Sequence, residues 1–281
     1  MQNFRFSILS ENLVCKQPFR AEHGLSVMIE SDSRIVLFDT GGSDLFLHNS
    51  RALDIELFGV DDIIISHGHY DHSSGLPAAL KETSRARVHI HEQAFKHKLS
   101  ASTGKLRYIG LPDEVRATLV EADKREELAI MKGSIEQLDF SFKLFCAGGR
   151  QHLPDDWTFY IGDESGSEAI PDRFEDEISL LIEGDKSSCL LTGCSHCGID
   201  NIYAKALELT EKPLRHIIGG SHLSAAPEEE VARIADFFSP LDVQLHLGHC
   251  TGINGYARLY SRLKGRQIQP IHAGMQMTLT L

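Results

Sequence analysis

The feature that most constrains this chain is an apolar run, Ile63-Ile64-Ile65, that stops abruptly in Ser66-His67-Gly68-His69-Tyr70-Asp71-His72-Ser73-Ser74-Gly75. A buried strand that ends in such a loop delivers imidazoles and a carboxylate to one spot at the edge of a sheet, and these groups are ligands of divalent metal ions. His67 and His69 are two residues apart, so an extended turn points them the same way and lets them share one ion. Asp71 and His72 stand at the start of a predicted helix, Ser73 to Glu82, and aim elsewhere. That arrangement suits two ions side by side; a water held between metals about 3.5–4 Å apart ionises near neutral pH and becomes a nucleophile. A chance cluster of surface or core histidines is the competing reading. Four ligand-type residues within six positions, directly after an apolar strand, weigh against it.

Preceded by Ile35-Val36-Leu37-Phe38-Asp39-Thr40-Gly41-Gly42, the motif His67-x-His69-x-Asp71-His72 resembles that of the metallo-β-lactamase-fold hydrolase superfamily, and the resemblance runs over nearly the whole chain. Gly193-Cys194-Ser195-His196, Gly219-Gly220-Ser221-His222-Leu223 and Gly248-His249-Cys250-Thr251-Gly252 resemble one branch of it. That branch carries a dihydropterin ribofuranosyl-aminobenzene phosphate synthase activity of methanopterin-type cofactor biosynthesis. The resemblance implies an α/β fold, a four-layer αββα sandwich with a dinuclear site on its rim. It implies that Asp39 lies under the site and orients a histidine ligand. It also makes His249 the final ligand, sharing the second metal with Asp71 and His72. His222 matches the position where the tRNA-maturing endonuclease and related phosphodiesterase branches keep a histidine that protonates a leaving oxygen, with metal ligation as its alternative role.

The chain departs from the superfamily pattern in two places. The stretch Phe174-Glu175-Asp176-Glu177, where a histidine ligand is expected, contains none, and Cys194 stands where the bridging aspartate belongs. His196 is the candidate to supply the missing imidazole to the metal of His67 and His69. Cys194 is a candidate thiolate ligand, which favours Zn²⁺ over Mg²⁺ and leaves Fe, Mn or Ni as alternatives. With neither in reach the site is mononuclear. Cys194-x-x-Cys197 has no second pair at similar spacing, so redox and zinc-knuckle readings are weak.

A chain of 281 residues, 42% of them hydrophobic, has room for one large α/β domain or two small ones. We expect a single domain over residues 1–281, with an insertion at about 92–175 acting as a lid or substrate pocket. Within it Arg150, His152 and Trp157 are candidate substrate contacts. Acidic residues number 40 against 28 basic ones, a formal charge of −12, which disfavours nucleic acid and favours a small-molecule substrate. The six cysteines form no framework, the N-terminus resembles no leader, and no apolar run reaches membrane-span length. A cytoplasmic protein with no membrane partner is expected, and a homo-oligomer is compatible with this.

Periodicity predicts a strand near residues 4–10, a hairpin over Leu25 to Phe38, helix over 43 to 59 and a strand at Arg87 to His91, whose His89 and His91 read as structural. A helical run at 113 to 131, a strand at Phe140 to Cys146 and a loop from Gly148 to Asp172 follow. From Glu177 strands and helices alternate, ending in one strand from Gln267 to Leu279. Three of these strands end in histidine-bearing loops that α/β architecture brings to one rim. The expected chemistry is metal-assisted attack on a phosphate ester or diphosphate, with Asp71 orienting the attacking group and a pterin diphosphate transfer implied by the branch. A phosphodiesterase or lactonase-type hydrolase is one alternative, and a non-catalytic metal-binding or ligand-sensing protein is another.

Overall fold

The computed structural model describes every residue except 1, 155, 164–167, 264 and 266, so part of the 148–172 loop lies outside the described residues. Alternating or wholly apolar runs give β1 (Asn3–Ser10), β2 (Ser26–Glu30) and β3 (Ile35–Phe38), an antiparallel meander. Helix α1 (Leu45–Ala52) is shorter than the predicted 43 to 59 and leads to β4 (Asp62–Ile64), which runs parallel to β3. The predicted helix from Ser73 is two pieces, α2 (Tyr70–Ser73) and α3 (Leu76–Glu82). Pro77, in the first turn of α3, has no N–H to extend the earlier turn. β5 (Arg87–His91) follows, parallel to β4.

The segment predicted as an insertion divides its strands among three sheets. β6 (His97–Ser100) and β7 (Arg107–Tyr108) precede α4 (Asp113–Lys124). The predicted helix to residue 131 stops there, because Glu126 takes a left-handed conformation (φ 60°) and the chain enters β8 (Leu128–Met131) beside β5. β9 (Ile135–Gln137) and β10 (Phe142–Cys146) join the second main sheet, while β11 (Phe159–Gly162) and β12 (Ile170–Pro171) join β6 and β7 in a small antiparallel sheet.

The second half reads as expected: β13 (Ile178–Glu183), β14 (Ser188–Leu191), α5 (Ile199–Glu208), β15 (Leu214–Gly219), α6 (Glu228–Phe238), β16 (Gln244–Leu247) and α7 (Gly252–Arg262). The final predicted strand is two, β17 (Ile268–Pro270) and β18 (Gln276–Thr280). Pro270 cannot donate to a longer ladder and Gly274 turns at φ 78°, so the chain leaves one main sheet and crosses to the other.

The first main sheet has the order β18-β1-β2-β3-β4-β5-β8 and the second β17-β16-β15-β14-β13-β10-β9. Phe4, Phe6, Val27 and Phe38 from the first meet Phe142, Leu180, Leu191 and Ile218 from the second in a buried layer between the sheets. Ile63, Leu76 and Val115 build the core under α1, α3 and α4, and Ile202, Ile234 and Leu259 the core under α5 to α7. The result is the four-layer αββα sandwich. Among the described residues no helix is long and apolar enough to cross a membrane.

Two buried ion clusters tie the layers together. Lys98 on β6, 1% exposed, holds Asp172 at 2.7 Å and Asp176 at 2.8 Å. Replacing it by methionine leaves two buried carboxylates facing each other, so Lys98→Met is expected to lower stability by about 3–5 kcal/mol, read from the urea midpoint at constant slope. In the second cluster His89, midway along β5, contacts Asp62, the first residue of β4, at 2.7 Å and Glu136 at 3.2 Å, with Arg34 closing on Asp62. Burial opposes charge on His89, but Asp62 and Glu136 prevail and raise its pKa. A raised histidine pKa adds stability below the unfolded value of about 6.5 that is lost as pH rises through the folded value. Asp62, lowered by His89 and Arg34 against its own burial, loses its share on acidification. The stability deficit of His89→Gln should therefore be widest between about pH 4 and 6.5 and narrow at alkaline pH, in denaturation series across pH.

Candidate metal centre

Five strand ends converge on the rim where the two main sheets meet. β3 runs into Asp39 and β4 into the loop of His67, His69, Asp71 and His72; β14, β15 and β16 run into Cys194 and His196, His222, and His249. Gly68 is required between the first two histidines, because a Cβ there would lie 2.3 Å from the Ala94 carbonyl oxygen.

The first half of the centre is His67, His69 and His196, whose ring nitrogens lie within 4.8 Å of one another. His67 Nε2 is 3.0 Å from His69 Nδ1. His69 Nε2 and both nitrogens of His196 are buried without a hydrogen-bond partner among the described residues. Burial pushes the pKa of His69 down to about 3 and holds His67 and His196 well below the ordinary histidine range, so all three present neutral imidazoles. Three convergent buried imidazoles, two of them with unpartnered nitrogens, form a donor set that suits a divalent ion, and those unpartnered nitrogens are costly without one.

The second half is Asp71, His72 and His249. His72 Nε2 is 3.1 Å from His249 Nε2, and Asp71 Oδ2 is 3.5 Å from His249 Nε2 and 3.9 Å from His72 Nε2. Asp39 lies beneath, accepting from the Ser66 N–H (2.7 Å), the Ser66 hydroxyl (2.8 Å) and His72 Nδ1 (2.6 Å). That last bond fixes the proton on Nδ1 and turns Nε2 toward the centre. Burial disfavours charge on His72, yet Asp39 and Asp71 raise its pKa to about 9, and burial lowers that of His249 to about 4. Cys194 Sγ sits 3.2 Å from His72 Nε2 and also groups with His67, so it lies between the halves. Burial, reinforced by Cys250, holds its thiol well above the usual range.

The stretch that lacks the expected histidine has another use. Glu177 accepts the His196 and Cys197 N–H groups at 2.7 and 2.8 Å, and Asp176 accepts the Gly68 N–H at 2.9 Å. Phe174 stacks on the His196 ring at 3.8 Å, nearly parallel. These residues brace the ligand loops, and sequence reasoning gave them no part.

His222 is next to the first half, its ring 4.3 Å from that of His196, with burial and then Arg150 lowering its pKa to about 4. Phe159 on β11 closes over His69, His196 and His222, its ring 5.9, 5.0 and 5.3 Å from theirs. The candidate contact Arg150 is committed elsewhere, donating to the His152 and His196 carbonyls and pairing with Glu230. Trp157 meets Phe159 edge-on and donates its indole N–H to the Asp172 carbonyl, and His152 is exposed. Two further residues that sequence reasoning missed, Asn12 and His23, stand at the second half, where His23 Nε2 is 3.1 Å from Asp71 Oδ2.

The fold is an α/β sandwich with a candidate metal centre on its rim, and a family model described as the metallo-beta-lactamase superfamily matches residues 20–195. The chain belongs to that superfamily, a fold that implies divalent metal binding. An uncharacterized protein of Methanocaldococcus jannaschii is 30% identical over 256 residues, covering 90% of this chain and 92% of its own. From the same organism, 7,8-dihydropterin-6-methyl-4-(beta-D-ribofuranosyl)-aminobenzene-5'-phosphate synthase is 26% identical, covering 98% of this chain and 96% of its own. Among solved structures, a metal-dependent hydrolase of the beta-lactamase superfamily is 30% identical with a TM-score of 0.80, covering 99% of this chain and 100% of its own.

Because Asp39 fixes His72 while the ligand atoms remain in place, Asp39→Asn should weaken divalent-metal retention about 10–100-fold, measured by competition with a chromogenic chelator.

Proposed function

We propose that this chain is a metal-dependent enzyme acting on a small phosphate- or diphosphate-containing substrate, with His67, His69 and His196 holding one divalent ion and Asp71, His72 and His249 a second. The observation that carries the reading is the pair of adjacent donor groups, one of neutral buried imidazoles and one containing a carboxylate, with Cys194 between them. Divalent ions there supply Lewis acidity toward a phosphoryl oxygen and an activated water. Zn²⁺ suits the imidazole and thiol donors best.

The chain's own residues do the rest. Asp39 keeps His72 in its metal-facing tautomer, and Glu177 keeps the His196 loop in register. Asp71, on the rim of the centre, orients the attacking group. His222 is neutral near pH 7, so it acts by donating a ring N–H to the leaving or phosphoryl oxygen. Phe159, carried by the 92–175 segment and backed by Trp157, forms an aromatic cover over the histidines that excludes water and suits a planar ring on the substrate. The synthase relative supports transfer from a pterin diphosphate to an aminobenzene-type acceptor. A second reading, hydrolysis of a phosphodiester or lactone by the same residues, is favoured by the relative of known structure, a metal-dependent hydrolase. We place the protein in the cytoplasm.

Elemental analysis of the purified protein should give two metal equivalents, falling to about one in His249→Ala. One equivalent, unchanged by the substitution, would sink the dinuclear assignment. The metal-loaded protein is then assayed with a pterin diphosphate plus an aminobenzene acceptor and with a panel of phosphodiesters and lactones. Product from the first mixture alone supports transfer and turnover of the panel supports hydrolysis, while inactivity on both argues for a sensing role. With Co²⁺ as the probe, a thiolate charge-transfer band lost in Cys194→Ser is expected, and a band unchanged in the variant would remove Cys194 from the ligand set.

A further inference from the structure

The loop after β1 carries an amide that touches both histidines at the outer half of the centre. Asn12 Oδ1 is 2.9 Å from His249 Nδ1 and 3.3 Å from the Gly24 N–H, and Asn12 Nδ2 is 3.2 Å from His23 Nδ1. His23 in turn reaches Asp71 Oδ2 through Nε2 at 3.1 Å. His249, Asn12, His23 and Asp71 therefore form a closed ring of contacts, since Asp71 Oδ2 also faces His249 Nε2 at 3.5 Å. The neighbouring Glu11 carboxylate accepts the His249 backbone N–H and fixes the base of that residue.

The hydrogen positions in this ring follow from its chemistry. A backbone N–H only donates, so the Asn12 atom facing Gly24 is the oxygen, which removes the usual ambiguity of an amide flip. The same oxygen faces His249 Nδ1, so that nitrogen carries the proton and Nε2 keeps its lone pair toward Asp71 and His72. The amide nitrogen can only donate, so His23 Nδ1 accepts. In neutral His23 the proton is then on Nε2, and it is given to Asp71.

We propose that Asn12 is a positioning residue of the metal centre, one amide that selects the metal-binding tautomer of His249 and the carboxylate-donating tautomer of His23, so that His23 braces Asp71 at the mouth. The inference rests on the metal reading of His249 and Asp71 made above. It gives His249 the same treatment that Asp39 gives His72, through a residue outside the loops that carry the proposed ligands. His23 has a side chain 57% exposed and so stands where the centre opens to solvent.

The first test reads tautomers directly. Long-range ¹H–¹⁵N spectra of metal-free, ¹⁵N-histidine-labelled protein at neutral pH, assigned with His23→Gln and His249→Gln, should give the Nδ1–H form for His249 and the Nε2–H form for His23. In Asn12→Asp the new carboxylate still accepts from His249 but cannot donate to His23, so His23 alone should change, with a proton appearing on its Nδ1. In Asn12→Ala the affinity for the second metal equivalent should fall about 10–100-fold by chelator competition. An Nε2–H His249 in the parent protein, or an Asn12→Asp variant in which His23 keeps its tautomer, would overturn the proposal. So would an Asn12→Ala variant with unchanged metal affinity. Should Asn12→Ala fail to fold, the parent spectra and the isosteric Asn12→Asp decide. The spectra are taken without metal or substrate, so failure of the phosphate-chemistry reading leaves this result standing on its own.

Discussion

The Asp39 carboxylate, buried at the end of β3, is the interaction on which the rest of the centre depends. It receives the backbone N–H and the hydroxyl of Ser66, and so fixes the point at which β4 stops being a strand. It receives His72 Nδ1 as well, and so fixes the short helix on which Asp71 rides. A single side chain thus determines where an apolar strand ends and which way the first candidate ligands of both halves point. Its own desolvation is offset by three hydrogen bonds, the condition under which a buried charge is tolerated.

The second sheet reaches the same rim by a different device. Ser195, His222 and His249 follow three neighbouring strands, and all three have positive φ, at 60°, 51° and 49°. Asp39 and Phe174 share this conformation, at 58° and 57°. A non-glycine residue there costs on the order of 1 kcal/mol or more. Such a cost is sustained only where surrounding contacts over-determine the turn, as the Glu177 bonds to the 194–197 loop and the Glu11 bond to His249 do. The backbone strain of this protein is concentrated where its histidines converge.

These features differ in how far the sequence reveals them. The His67 to His72 cluster is legible because its members are contiguous and follow an apolar strand, and Cys194, His196, His222 and His249 because each follows a strand in a regular alternation. Asn12 and His23 carry no such signal: they lie in an irregular loop and meet His249 only through folding, more than two hundred positions away. Phe174-Glu175-Asp176-Glu177 is conspicuous for its missing histidine, but nothing local tells that Glu177 clamps another loop. The strand Leu128–Met131 is hidden behind a helix whose end is set by Glu126, and the final strand is cut by Pro270 and Gly274, whose effect depends on which sheet each half pairs with.

On the proposed assignment, charge at the centre reconciles an acidic chain with the phosphate-bearing substrate proposed above. On the proposed assignment, His67, His69, His72, His196 and His249 bring no negative charge to the ions, and Asp71 brings one. Cys194 replaces a carboxylate with a group that burial keeps protonated until a cation draws off the proton, so even a thiolate there adds only one more negative charge. A two-metal site with these ligands keeps a surplus of positive charge in a low-dielectric cleft, where its field is strong and local. The formal charge of −12 acts over the outer surface, where salt screens it within about 10 Å. A long polyanion must cross that outer field over much of its length, whereas a small phosphate ester meets it briefly and then sees the centre. On that assignment the ligand set and the acidity of the rest of the chain would together favour a compact anion.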